Sequence, residues 1–227
     1  MFDWDDILII GDSYVSARDK EFNWPMSLAL QLTGLAFNKD RLPRGIGYPG
    51  CAWWSVRNEL LKQLSIKIPK VLILCHPDKN RYISDENLPF NIGSAMGKSM
   101  IRIDSGTINA LHLYYKHLYS SDFHAWTEKS WFIELDEILN KYQIPYIIHL
   151  HCNMLERSQL HEFKNGITHS KELFDPNNIN DYDNHLSTEE NVMMAKLLFN
   201  LITTLKPFAI GMQDYNLTFY KKEKSWI

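Results

Sequence analysis

The sequence predicts an α/β fold in which a parallel sheet is covered by helices on both faces. Three observations predict it. Short, wholly apolar runs alternate with longer stretches of helical periodicity, and turn-forming or charged residues bound each run. Residues able to do chemistry stand directly after the runs, where open parallel sheets bind their ligands. Consecutive parallel strands joined this way need right-handed crossovers.

The first run, Ile7 to Ile10, follows acidic residues and precedes Gly11-Asp12-Ser13, and reads as a buried strand. Pro25 suits the first turn of a helix over Met26 to Leu32. A glycine-rich turn, Gly45 to Gly50, leads into a second helix from Ala52 to Leu64. Val71 to Leu74, between Pro69 and Pro77, is the next strand. Residues 76–106 scatter Pro, Asn, Gly and Ser and are expected to be irregular. Helical periodicity returns from Ile108 to Tyr142, split near Ser120-Ser121, with Trp126 and Trp131 read as core. Tyr146 to Leu150, set off by Pro145, is a third strand. Residues 153–184 are polar, rich in Asn and Asp, and read as loop. The last helix spans Ser187 to Leu205, opens on a Ser187/Glu190 capping box and stops before Pro207. Residues 207–227 are expected to form a surface-packing tail, so that a single domain, 1–227, accounts for the chain.

Composition narrows the function. A 45% hydrophobic content with 13% aromatics supports a sizeable core. Lys plus Arg number 24 against 27 Asp plus Glu, a net charge of −3. Apart from the short Lys221-Lys222-Glu223-Lys224 run near the end there is no block of five like charges and no basic excess of the kind a phosphate backbone demands. Nucleic acid is therefore not an expected partner. The cysteines Cys51, Cys75 and Cys152 are odd in number and widely spaced, which argues against a disulfide framework and a thiolate zinc site. No stretch approaches the roughly 18 apolar residues of a membrane span. The acidic start lacks the basic, long-apolar character of a secretory signal, so a cytoplasmic protein is expected.

Ser13 leads the candidate catalytic residues. Gly11 lets the chain turn off the strand, which presents the serine hydroxyl at the carboxyl edge of the sheet. The same Asp-Ser pair is also a common cap. His185, in Asp181-Tyr182-Asp183-Asn184-His185, precedes the last helix, whose dipole favours the neutral, basic form of the ring. Asp181 and Asp183 are both near enough in sequence to orient it.

Gly11-Asp12-Ser13 after the first strand, the Gly47-to-Gly50 turn, and an Asp-rich stretch ending His185-Leu186-Ser187 resemble the SGNH/GDSL hydrolases in order and spacing. The divergent members found in phage genomes are the most similar in kind. The resemblance spans nearly the whole chain. It implies a three-layer α/β/α sandwich, flavodoxin-like in its layering, that cleaves esters, often acetyl groups on sugars or lipids, without a cofactor. By position it makes Ser13 the nucleophile and first oxyanion donor, Gly47 the second donor and His185 the base. The family's third block, Gly-x-Asn-Asp, reads Cys75-His76-Pro77-Asp78-Lys79-Asn80 here, so Asn80, His76 or neither supplies the third donor. The family's acid stands three residues before its histidine. Tyr182 holds that place, leaving Asp183 and Asp181 on either side of it.

Asp12 and His76 at the strand ends, and Trp53-Trp54 after Gly50, are candidate substrate contacts. One tryptophan is expected in the core and the other at the rim. His149 and His151 project from one side of a strand and, with His76, suggest a metal-dependent hydrolase as an alternative. Gly93 to Ser99 falls short of a phosphate loop, having three residues between its glycines where four are needed. A further alternative keeps the fold without turnover, as a virion component assembled into a larger particle.

Overall fold

The computed structural model describes residues 2–15, 22–38, 40–45, 47, 51–77, 81–83, 89–90, 104–151, 161–170, 186 and 188–204. Its sheet has four parallel strands in the order β1 (Ile7–Ile10), β2 (Val71–His76), β5 (Tyr146–His151) and β6 (Ile167–Ser170). A separate antiparallel pair joins β3 (Tyr82–Ile83) to β4 (Pro89–Phe90). Five helices lie among the described residues: α1 (Trp24–Thr33), α2 (Trp53–Ile66), α3 (Ser105–His117), α4 (Ser121–Tyr142) and α5 (Thr188–Thr204).

Alternation along the strands divides the core. Ile7, Ile9, Val71, Ile73 and Ile148 pack on α1 and α5 through Leu28, Leu32, Leu198 and Ile202. Leu8, Ile10, Leu72, Leu74 and Ile147 face α2 and α4, meeting Val56, Leu60, Leu135 and Leu139. With helices on both faces, every side chain of β1 and β2 is buried, which is why these strands read as unbroken apolar runs. The result is a three-layer α/β/α sandwich around a parallel sheet.

Register fixes what the carboxyl edge displays. Leu74 is paired with His149 and His76 with His151, so three imidazoles share the face toward α4. On the other side of β1, Arg44 and Gly47 lie alongside it. Ile9 donates to the Arg44 carbonyl at 2.9 Å, and Gly11 bridges to Gly47. The Arg44 guanidinium anchors this segment on the carbonyls of Asp5, Gln63 and Lys67.

The structure departs from the sequence reading in several places. β2 and β5 run on to His76 and His151, because polar side chains at a strand end continue the ladder while their backbones stay paired. β6 lies inside the expected loop 153–184, and β3, β4 and the start of α3 lie inside the expected irregular stretch 76–106. β6 has one aliphatic residue in Ile167-Thr168-His169-Ser170, and its pairing with β5 rests on backbone hydrogen bonds, which leave no apolar pattern to read. Trp126 is 63% exposed, whereas Trp131 is 2% exposed; the packing of α4 on the sheet is made by Trp131, Phe132, Leu135 and Leu139. Ser187, the 93–99 segment and the 207–227 tail lie outside the described residues. No helix among the described residues is long and apolar enough to cross a membrane.

Gly166 sets the entry to β6. Its φ is +111°, and a Cβ there would stand 2.8 Å from Ile147 and 2.9 Å from the His149 ring. Gly166→Ala is expected to destabilise the protein by about 2–4 kcal/mol, combining left-handed strain with overpacking. An unchanged urea midpoint would show that neither constraint holds.

Candidate active site

β1 leads through Gly11 and Asp12 into a 3-10 turn over Ser13–Val15 at the carboxyl edge of the sheet. Asp12 is fully buried. Its Oδ1 accepts from the Tyr14 amide at 3.1 Å and lies 3.7 Å from the Cys75 thiol. Its Oδ2 accepts from Arg81 Nη1 at 2.9 Å, and the same nitrogen donates to the Cys51 carbonyl at 3.2 Å. Burial raises the Asp12 pKa, opposed by the charge and hydrogen bond of Arg81. Asp12, expected to touch substrate, instead faces inward and organises the turn.

Gly47 lies against that turn. A Cβ at position 47 would come within 2.0 Å of Val15 Cγ2 and 2.9 Å of the Asp12 carbonyl oxygen. Only a glycine lets the edge segment approach so closely, and the approach sets Gly47 beside the backbone of residues 12–15.

A second set of contacts reaches the turn from α5. The indole Nε1 of buried Trp24 donates to the Tyr14 carbonyl at 2.8 Å. The Trp24 amide, an N-terminal donor of α1 that the helix itself leaves unpaired, donates to Asn191 Oδ1 at 3.0 Å. Asn191 Nδ2 then donates to the Leu186 carbonyl at 3.0 Å. Three hydrogen bonds thus join Tyr14 to Leu186, the immediate chain neighbours of Ser13 and His185.

The imidazoles of β2 and β5 form a closed box beneath the same edge. His149 Nε2 faces the Asn165 carbonyl at 3.0 Å, and a carbonyl only accepts, so that nitrogen carries the proton. The neutral ring then accepts at Nδ1 from His76 Nε2, 3.0 Å away. This assignment leaves a bare Nδ1 on His76, which, like Nε2 of His151, has no partner among the described residues. Phe163 stacks on His149 with centroids 3.6 Å apart, and Phe132 meets His76 edge-on at 5.0 Å. Asp136 closes the far side through His161 at 3.0 Å and the Lys164 amide at 2.9 Å. Burial in this aromatic setting drives the pKa of His149 down to about 3 and of His151 to about 4, and it lowers His76 as well. All three rings are neutral at neutral pH.

The box alters two expectations. His76 is 2% exposed and bonded to His149, so it stands inside the protein and not at a substrate surface. Both His149 nitrogens are engaged, leaving no lone pair for a metal ion, and no group of three His, Cys, Asp or Glu among the described residues is disposed to hold one. Of Trp53 and Trp54, neither lies in the buried core. Trp53 is half-buried and stacks on Trp131, while Trp54 is 43% exposed under the Arg57 guanidinium. Asn80, Asp181, Asp183 and His185 lie outside the described residues. A hollow of about 630 Å³ beside Trp4 lies away from this edge, ahead of β1.

Sequence reasoning missed Arg81, Trp24, Asn191 and Phe163. Each acts across 10 to 167 positions of chain, and no spacing rule links residues so far apart.

No family model and no curated protein matches the sequence. The solved structure of an acetyl xylan esterase, AlAXEase, is similar to this chain with a TM-score of 0.50 at 14% identity, covering 86% of this chain and 100% of that one. At that identity the likeness establishes a common fold, the α/β/α sandwich whose carboxyl edge is described above.

Proposed function

We propose that this chain is a serine esterase of the SGNH type, acting on a small ester such as an acetylated sugar or lipid. The hydrogen-bonded link from Tyr14 through Trp24 and Asn191 to Leu186 supports the reading most, because it ties together the chain neighbours of Ser13 and His185. The approach of Gly47 to the 12–15 turn gives further support, since both expected backbone donors belong to those segments. So does the fold held in common with an acetyl xylan esterase.

In this mechanism His185 takes the Ser13 proton as Oγ bonds to the ester carbonyl carbon. The amides of Ser13 and Gly47, with Asn80 as the third donor, hold the negative carbonyl oxygen. Collapse of the tetrahedral adduct breaks the bond to the leaving alcohol, which receives the proton from His185. Water, deprotonated by the same ring, then attacks the acyl-serine, releasing the acid and restoring Ser13. Asp183 or Asp181 orients the imidazole. Trp54 is a rim surface for a sugar ring or acyl group.

A fluorophosphonate probe with mass mapping of the adduct tests the assignment, alongside hydrolysis of a small chromogenic acetate. Labelling is expected at Ser13. A purified, folded protein that neither reacts with the probe nor cleaves acetylated sugars or lipids would instead fit the binding-module reading.

A further inference from the structure

We propose that Arg81 is the positioning residue of the nucleophile turn, fixing through Asp12 the backbone from which Ser13 acts; the inference rests on the esterase reading above.

Three chain segments converge on this guanidinium. Its Nη1 donates both to Asp12 Oδ2 at 2.9 Å and to the Cys51 carbonyl at 3.2 Å, and its own backbone follows β2. The side chain is 14% exposed and that of Asp12 not at all. A carboxylate so buried is retained only when paired. Its other oxygen accepts from the Tyr14 amide, so the ion pair bears directly on the turn that opens at Ser13. Cys51 lies four residues beyond Gly47, and the contact with it therefore also holds the segment that supplies the second backbone donor.

Removing the guanidinium leaves Asp12 to take up a proton or draw in water. Either change loosens the acceptor of the Tyr14 amide and moves the turn relative to Gly47. A displacement of about 1 Å at a reacting group lowers turnover by about 10²-fold, without weakening substrate contacts made elsewhere. The Arg81 guanidinium is engaged by Asp12 and the Cys51 carbonyl and is not offered to substrate or reacting atoms. It acts through Asp12.

The test uses Arg81→Ala and Arg81→Lys in the full chain. It measures kcat and KM on a chromogenic acetate, the rate of phosphonylation at Ser13, and near-ultraviolet circular dichroism for folding. Arg81→Ala is expected to lower kcat and the labelling rate together by about 10²-fold, with KM within about twofold. Guanidinium ion at tens of millimolar, far below denaturing concentrations, is expected to recover at least about tenfold of both. Arg81→Lys keeps the charge opposite Asp12 and serves if the alanine variant does not fold. Its rounder ammonium is expected to leave kcat about tenfold low at unchanged KM. Wild-type rates in a folded variant would overturn the inference, and so would a loss in folded Arg81→Ala that guanidinium does not recover. If the wild-type protein neither labels at Ser13 nor cleaves the ester, the esterase reading fails and takes this inference with it. An active wild type with unaffected Arg81 variants overturns this inference alone.

Discussion

Ser13→Ala and His185→Ala are each expected to lower turnover of a small acetyl ester by about 10³- to 10⁶-fold, and the double replacement no further than the worse single one. The proposed nucleophile and base act as one unit. Once the proton acceptor is gone the hydroxyl is a poor nucleophile, and once the hydroxyl is gone the base has nothing to activate. Residual rate would then come from the backbone donors and substrate binding alone. Steady-state kinetics on the three variants decides the matter. Losses that multiply in the double variant, or a Ser13→Ala protein with wild-type activity, would remove Ser13 from the chemistry. Asp181→Asn and Asp183→Asn, compared in the same assay, distinguish the orienting acid as the one whose loss lowers kcat by about 10²-fold or more.

Acidification from about pH 7.5 to about pH 4.5 is expected to lower the unfolding free energy by about 3 kcal/mol or more. The sign follows from burial. The unfolded chain protonates its histidines near pH 6.5, while His149 and His151 resist protonation down to about 3 and about 4 when folded. The unfolded state therefore binds more protons throughout that window. Stability is complete above about pH 6.5 and is lost as the pH falls toward the folded-state values, at about 1.4 kcal/mol per pH unit for each ring not yet protonated. Asp12, raised by burial, shifts stability in the opposite sense and offsets part of the loss. Asp6 does not act in this window. Burial pushes its pKa up, but hydrogen bonds from Lys70, the Asp3 amide and Lys67 outweigh this and hold it at about 2, so its contribution disappears only in stronger acid. Urea unfolding at several pH values gives the slope directly. His151→Phe, which removes a ring whose Nε2 has no partner among the described residues, is expected to flatten that slope by one proton's share. A stability constant between the two pH values would mean that the box is open to water.

Much of the fold was legible because both of its faces are covered. Ile7–Ile10 appears in the structure with the bounds read from the sequence, since a strand buried on both sides has no choice but to be apolar throughout. Pro25 at the start of α1 and the Ser120-Ser121 break between α3 and α4 were equally readable, because capping and helix-breaking are local effects. β6 was not, being an edge strand held by backbone pairing to β5 and by the positive φ of Gly166. Trp126 misled for a related reason. Its hydrophobicity is a property of the side chain, but its exposure is a property of where α4 meets the sheet.

The sequence by itself determined that helices and parallel strands alternate, and that Ser13, His76 and His151 stand at the carboxyl ends of strands or just beyond them. Those facts follow from period, turn chemistry and chain direction, each decided within a few residues. Tertiary structure alone decided the rest. It turned Asp12 inward onto Arg81, brought His76, His149 and Phe163 together in a buried cluster, and joined Tyr14 to Leu186 through Trp24 and Asn191. The physical reason is that whether a polar group faces water or a partner depends on desolvation and on pairing across the whole fold, and no local pattern encodes either.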